Sequence, residues 1–165
     1  MMGLRAAWPI SYMKRHDSGA GGTPHRYWRV KVTGQNLGGT AGYIRAAEIQ
    51  MRTTSGGADQ CTGGTAMADS FYAPEGLTAA NAFDDSIFTD WASNGTGNNS
   101  WIGYDLGVGN AKDIVEVTWM VGNDAAQVPT DVTIDYSDDG STWTPKWSET
   151  GLVFHASGTT TTMSP

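Results

Sequence analysis

The 165-residue chain has one cysteine, three histidines, and only 10 Lys and Arg against 17 Asp and Glu. Each shortage excludes something. The single Cys61 cannot form an intrachain disulfide, so no covalent staple holds the fold. No histidine stands in a partner pattern with it, and it reads as an ordinary thiol rather than a nucleophile. His16, His25 and His155 form no triad or metal spacing with nearby Cys, Asp or Glu. A Gly-x-Ser-x-Gly elbow and a phosphate-cradling loop are also missing, and the many carboxylate pairs fall in turn contexts. These gaps argue against an enzyme. The net charge of -7 leaves no basic face to neutralise phosphates, which argues against nucleic acid as a partner and against adhesion to anionic lipid. No apolar run approaches the ~20 residues of a membrane span, so no membrane insertion is expected. What the acidity does suit is solubility and a cation site.

A chain of this length fits one domain that buries roughly 70% of its unfolded surface. Met1 to Gly19 carries Arg5, Lys14, Arg15 and His16 around a short apolar stretch that Pro9 interrupts. No secretory signal is recognised there. An extracellular protein of this kind would reach its place by another route, such as assembly into a particle. Residues 17–24 are a flexible Gly-rich joint, so residues 1–24 read as an N-terminal arm and linker and 25–165 as the folded domain.

From His25 onward the pattern is β. Tyr27-Trp-Arg-Val-Lys-Val-Thr33 alternates large apolar and polar residues, the period of a half-buried strand. Residues 43–51 mix helix-favouring Ala, Glu and Met with Gly-rich flanks, and the short length favours a strand. Further strands are expected at 66–70, 101–106, 114–121, 132–136, 143–147 and 151–155, with one helical turn within 73–82. Ser137-Asp-Asp-Gly-Ser141 is a hairpin turn in which Gly140 supplies a positive φ. The Thr-rich tail from Ser157 is frayed or bound to a sheet edge. Many short strands with no long amphipathic helix imply a β-sandwich or jelly roll.

Four features bear on function. Asp84, Asp85 and Asp90 lie in one short stretch with Ser86 and Thr89 between them and Trp91 at its end. A hard cation wants six to eight oxygens from such groups, while a solvated acidic turn explains the same spacing. Asp135, Ser137, Asp139 and Gly140 mimic the start of an EF-hand loop, but its twelfth position is Lys146 rather than Glu and its flanks are strands, so it is a hairpin. Seven Trp are present; Trp28, Trp101 and Trp119 fall in alternating strands and are expected in the core, with Trp91 packed beneath the acidic loop. The polar stretch from Ala92 to Ser100 is rich in amides suited to hydroxyl ligands, and Asn94, Asn98 and Asn99 are its candidate contacts.

Ala82-Phe-Asp84 followed by Thr89-x-Trp91 resembles the Ala-x-Asp-Gly-x-x-x-Thr-x-Trp signature of discoidin domains, also called coagulation-factor 5/8 type C domains. Trp101-Ile-Gly-Tyr-Asp-Leu-Gly107 is similar to the family's Trp-Ile-x-Val-Asp-Leu-Gly strand, and Tyr136-Ser-Asp-Asp-Gly-Ser-Thr-Trp143 to its Tyr-Ser-x-Asp-Gly-x-x-Trp hairpin. The order and spacing of all three match over roughly residues 65–147. The family's last hairpin instead stands first, as Arg26-Tyr-Trp-Arg-Val30 and Ala47-Glu-Ile49. The resemblance implies an all-β, galactose-binding-like jelly-roll sandwich in circularly permuted order, unless those strands complete a preceding unit. Copies with Tyr-Trp-Arg near the start resemble those of phage tail and other virion proteins.

The resemblance further implies a structural Ca²⁺. Its ligands would be Asp84, Thr89 and Glu48, with backbone carbonyls near Ala82 and Ile87. Two departures stand out: the family Gly is Asp85, and the usual Asp or Asn after it is Ser86. The implied function is a non-catalytic module, on a phage tail or capsid surface or otherwise extracellular, that attaches to cell-surface carbohydrate. The alternative is a structural or decoration subunit held by contacts with other virion proteins, with no sugar binding. A homo-oligomer is compatible with either.

Overall fold

In the computed structural model, residues 22–35, 42–95 and 97–165 are described. Most of the expected N-terminal arm lies outside them, as do residues 36–41 and 96. Among the described residues ten strands form: β1 (Tyr27–Gln35), β2 (Arg45–Ala46), β3 (Glu48–Arg52), β4 (Thr65–Ala68), β5 (Trp91–Ala92), β6 (Trp101–Asp105), β7 (Glu116–Met120), β8 (Pro129–Ser137), β9 (Thr144–Glu149) and β10 (Thr160–Met163). Two 3₁₀ turns, Ala73–Glu75 and Ala79–Ala82, occupy the stretch expected to hold one helical turn. The fold is all-β. One antiparallel sheet has the order β4-β6-β1-β8-β9, a second β10-β7-β3, and a small ribbon joins β2 to β5.

The two larger sheets enclose one apolar core. The period-2 pattern of β1 turns Trp28, Val30 and Val32 inward, where they meet Ile102 and Tyr104 of β6, Val132 and Ile134 of β8, and Ile49, Met51, Val117 and Trp119 of the second sheet. β1 pairs with β6 on one side and β8 on the other. The strands that the family order would place last are therefore central to this sandwich and do not belong to another unit. The ambiguous 43–51 segment is strand, split into β2 and β3.

Two expectations fail. Trp101 is not in the core: its register opposite Lys31 points it outward, half-exposed, while its neighbour Ile102 points in. On that outer face Arg29 lies 4.2 Å from the Trp143 ring and 5.5 Å from that of Trp101, held by Asp135 at 2.8 Å. Residues 151–155 are not a strand. Gly151 has φ +67°, which turns the chain out of the ladder after β9; Leu152 and Phe154 pack against the core, and the Leu152 amide makes a single main-chain bond to the Thr130 carbonyl at 2.8 Å without forming a ladder. The edge strand forms later, as β10 on β7, so the Thr-rich tail is bound to a sheet edge.

The 137–141 hairpin is as expected. Gly140 has φ +72°, and the Asp139 carboxylate accepts from the amides of Ser141 and Thr142 and from the Ser137 hydroxyl. These bonds hold the Asp139 carboxyl well below the usual carboxylate range.

Candidate functional site

The acidic loop begins where the Ala79–Ala82 turn ends. Asn81 clamps its base, donating from Nδ2 to the carbonyl of Asp90 at 3.1 Å and to that of Gly76 at 3.3 Å. Asp84 accepts from the Ser86 amide at 3.0 Å and from the Thr89 hydroxyl at 2.8 Å, so the loop closes on Asp84 and Thr89. Asp85 has φ +58°. The family's Gly is replaced here by a residue that tolerates the left-handed region better than most, so the turn is kept. Trp91 is buried, with its indole N–H on the Ser70 carbonyl at 2.9 Å.

Glu48, at the start of β3, faces this loop. It is 6% exposed, and neither carboxylate oxygen has a hydrogen-bond partner. Burial, then the charges of Asp85, Asp84 and Asp59, push its carboxyl up to about 8. The Asp85 amide offsets this in small part without reaching hydrogen-bonding geometry. The charges acting on Glu48 are thus all of its own sign, an arrangement that costs stability unless a cation or a proton neutralises it.

The donor set fits a hard cation in kind: Glu48, Asp84, the Thr89 hydroxyl and main-chain carbonyls are all oxygen. Among the described residues no hydrogen bond ends on the carbonyls of Ala82 or Ile87. No three His, Cys, Asp or Glu side chains among the described residues are grouped closely enough to hold a metal by themselves. Asp90 does not join the set. It turns away to Arg45 at 3.6 Å and Asn123 Nδ2 at 3.4 Å.

Arg45 connects this loop to a cleft of about 190 Å³ lined by Tyr43, Arg45, Tyr72, Glu75, Ala92 and Gln127. Four chain segments meet there. Arg45 pairs with Ala92 in the β2–β5 ribbon, the Arg45 amide donates to the Gln127 carbonyl at 2.8 Å, and the Tyr72 amide donates to the Ala92 carbonyl at 2.8 Å. These main-chain bonds fix the floor, and buried Ala92 leaves the depth open. Tyr43 and Tyr72 meet edge to face with centroids 5.2 Å apart. Arg45 donates to Glu75 at 3.2 Å, while the side-chain oxygen of Gln127 is buried with no partner.

Asn94, Asn98 and Asn99 are exposed on the neighbouring 92–100 loop and do not line the cleft. The Asn94 amide donates to Ser70 Oγ at 3.0 Å, and Asn99 has φ +75° with its amide on the Val32 carbonyl. The cleft residues were not singled out from sequence. Their only signal was an aromatic beside each of two loops, and nothing in the sequence joins positions 43, 72 and 127.

A rigid antiparallel sandwich that carries an acidic loop and an aromatic, polar cleft on its connections has the build of a binding module. The chain belongs to the F5/8 type C domain family, whose model matches residues 65–162. Members of that family are carbohydrate- or ligand-binding modules, generally non-catalytic. No curated protein matches the chain.

Proposed function

We propose that this domain is a non-catalytic glycan-binding module that holds its ligand in the Tyr43–Tyr72 cleft. The observation that carries the reading is the cleft itself: two aromatic rings beside Arg45, Glu75 and an unpartnered amide oxygen, on a floor fixed by main-chain bonds. Aromatic faces cover the apolar side of a sugar ring, and convergent polar groups fix its hydroxyls. Asn94, Asn98 and Asn99 extend the contact surface beyond the cleft. A cell-surface glycan is the proposed partner, and a virion surface or another extracellular position the proposed setting.

The acidic loop is proposed to hold a structural Ca²⁺ on Glu48, Asp84 and Thr89 with the carbonyls of Ala82 and Ile87. Its support is the buried, partnerless Glu48 carboxylate. The ion would supply the positive charge that this group lacks and would brace the loop. Asp90 and Arg45 join that loop to the cleft, so bracing one steadies the other.

The test is saturable binding of the intact protein to a panel of cell-surface polysaccharides, with calcium and then with chelator. Binding that falls at least tenfold in Tyr43→Ala and weakens in chelator is expected. Loss in Asn94→Ala or Asn98→Ala with Tyr43→Ala unaffected moves the site to the 92–100 loop. No binding to any polysaccharide in either condition overturns the glycan reading.

A further inference from the structure

Asn94 is the one asparagine in the chain followed by a glycine, and Asp139 the one aspartate. Glycine carries no side chain to screen its own amide nitrogen, so a carboxamide or carboxyl on the preceding residue can close onto it in a five-membered ring. The two pairs sit in opposite surroundings. At Asp139 both partners are held. Its carboxylate accepts from the Ser141 and Thr142 amides and the Ser137 hydroxyl, and the Gly140 amide donates to Ser137 Oγ at 3.0 Å. At Asn94 both are free. Asn94 and Gly95 are exposed, and a Cβ on Gly95 would meet nothing within 4 Å. Among the described residues the Asn94 carboxamide and the Gly95 amide have no hydrogen-bond partner. The Asn94 main chain is nonetheless anchored, its amide on Ser70 Oγ at 3.0 Å. The other asparagines of this loop precede engaged amides: Asn99 donates to the Val32 carbonyl and Ser100 to that of Gly97.

We propose that Asn94–Gly95 is a site of spontaneous self-modification, at which the folded protein converts an asparagine to aspartate and isoaspartate. The Gly95 nitrogen bonds to Asn94 Cγ, the Cγ–Nδ2 bond breaks, and Nδ2 leaves as ammonia with the hydrogen that Gly95 gives up. Water then opens the succinimide. Addition at the side-chain carbonyl restores the peptide link and leaves aspartate. Addition at the main-chain carbonyl leaves the chain running through the former side chain, as isoaspartate. Water is the sole co-reactant. Either product puts a carboxylate on the 92–100 loop where a neutral amide stood. Isoaspartate also adds one atom to the main chain between two fixed points, the Asn94 amide on Ser70 and the Asn99 amide on the Val32 carbonyl at 2.9 Å. The Gly95 carbonyl in between packs on Gly42, where a Cβ would lie 2.8 Å from it, so the longer link must displace that contact. The site does not depend on what the cleft binds.

The experiment is a timed incubation of the intact protein in mildly alkaline buffer, followed by peptide mapping with mass spectrometry that separates aspartate from isoaspartate. Asn94 is expected to be lost first among the asparagines, with ammonia released in equal amount and one negative charge gained per molecule on isoelectric focusing. Isoaspartate should collect at position 94 and not at 139. The same incubation in denaturant should open Asp139 to the reaction and erase that contrast. Asn94→Gln, whose longer side chain would have to close a six-membered ring, should remove most of the ammonia release. The replaced side chain is exposed and unpartnered, so the fold is spared. Asn94 that survives in the folded protein while the denatured one loses it overturns the proposal. Loss at Asn94 no faster than at Asn98 or Asn99, or isoaspartate forming at 139 as fast as at 94, overturns it equally.

Discussion

Glu48 is a buried carboxylate with no hydrogen-bond partner, so the charge beside it sets what it costs the fold. A buried carboxylate among like charges lowers the stability of the fold that contains it, and its replacement by an uncharged isostere should relieve that cost. In chelator, Glu48→Gln is expected to melt higher than wild type, by about 2–4 °C for each 1 kcal/mol relieved in a chain of this size. In calcium the order should invert. A ligand at one hundred times its Kd stabilises the native state by about 2.7 kcal/mol, and the variant forgoes most of that. Melting curves of both proteins with calcium and with chelator decide it, and an equal calcium response in the two would remove Glu48 from the ion site. Gly103 makes a different demand. A Cβ there would lie 2.3 Å from the Trp28 carbonyl and 2.8 Å from the Arg29 Cβ, both in the adjoining strand β1. Gly103→Ala should therefore lower stability by about 1–3 kcal/mol through overpacking, read as a fall in denaturation midpoint with an unchanged slope.

At the scale of the element, the link between β7 and the loop after β3 rests on Glu116. Its carboxylate accepts from the Ser55 hydroxyl at 2.7 Å, from Arg52 Nη1 at 2.7 Å and from the Gly56 amide at 3.1 Å. The Ser55 bond, then Arg52 and Gly56, hold its carboxyl below the usual carboxylate range. A depressed folded-state pKa contributes stability that is present above the unfolded value of about 4.5 and is lost as pH falls through the folded one. Unfolding titrations from pH 6 downward should show that loss, with a shallower slope below about 4.5 in Glu116→Gln; identical slopes would count against the assignment. Period-2 patterning made β1, β6 and β8 legible in the sequence, because alternation alone fixes which residues face a core. It could not say which face of a strand end is covered, so Trp101 was read as inward although its partner across the ladder is Lys31. It also marked 151–155, where Leu152 and Phe154 do alternate inward, without revealing that the turn at Gly151 leaves this stretch one main-chain bond to β8, at Leu152, instead of a ladder. The acidic loop was legible because Asp84, Asp85, Ser86 and Thr89 are neighbours in sequence. Glu48 came from family likeness, and the cleft from neither, since its walls come from segments far apart in the chain.

For the whole molecule, the family match begins at β4, yet the sandwich does not. Residues 22–64 supply β1, β2 and β3, and β1 is the only bridge between β6 and β8 among the described residues. Without it the larger sheet falls into two pairs, β4-β6 and β8-β9, each with a newly exposed edge. The same segment places Trp28, Val30, Val32, Ile44, Ile49 and Met51 in the core, each fully buried. At about 1.5–3 kcal/mol for each large apolar side chain, these six alone match the whole net stability of a typical domain, roughly 5–15 kcal/mol. The matched stretch is therefore too little to fold. A fragment of residues 65–165 should show no cooperative thermal transition and poorly dispersed amide resonances. Co-expression with a separate segment 22–64 should restore both, because antiparallel pairing on two sides needs the strand but not its covalent link to β4. A cooperative transition in the 65–165 fragment alone would mean that its remaining strands close up without β1, and that the permuted strands complete the sandwich rather than make it.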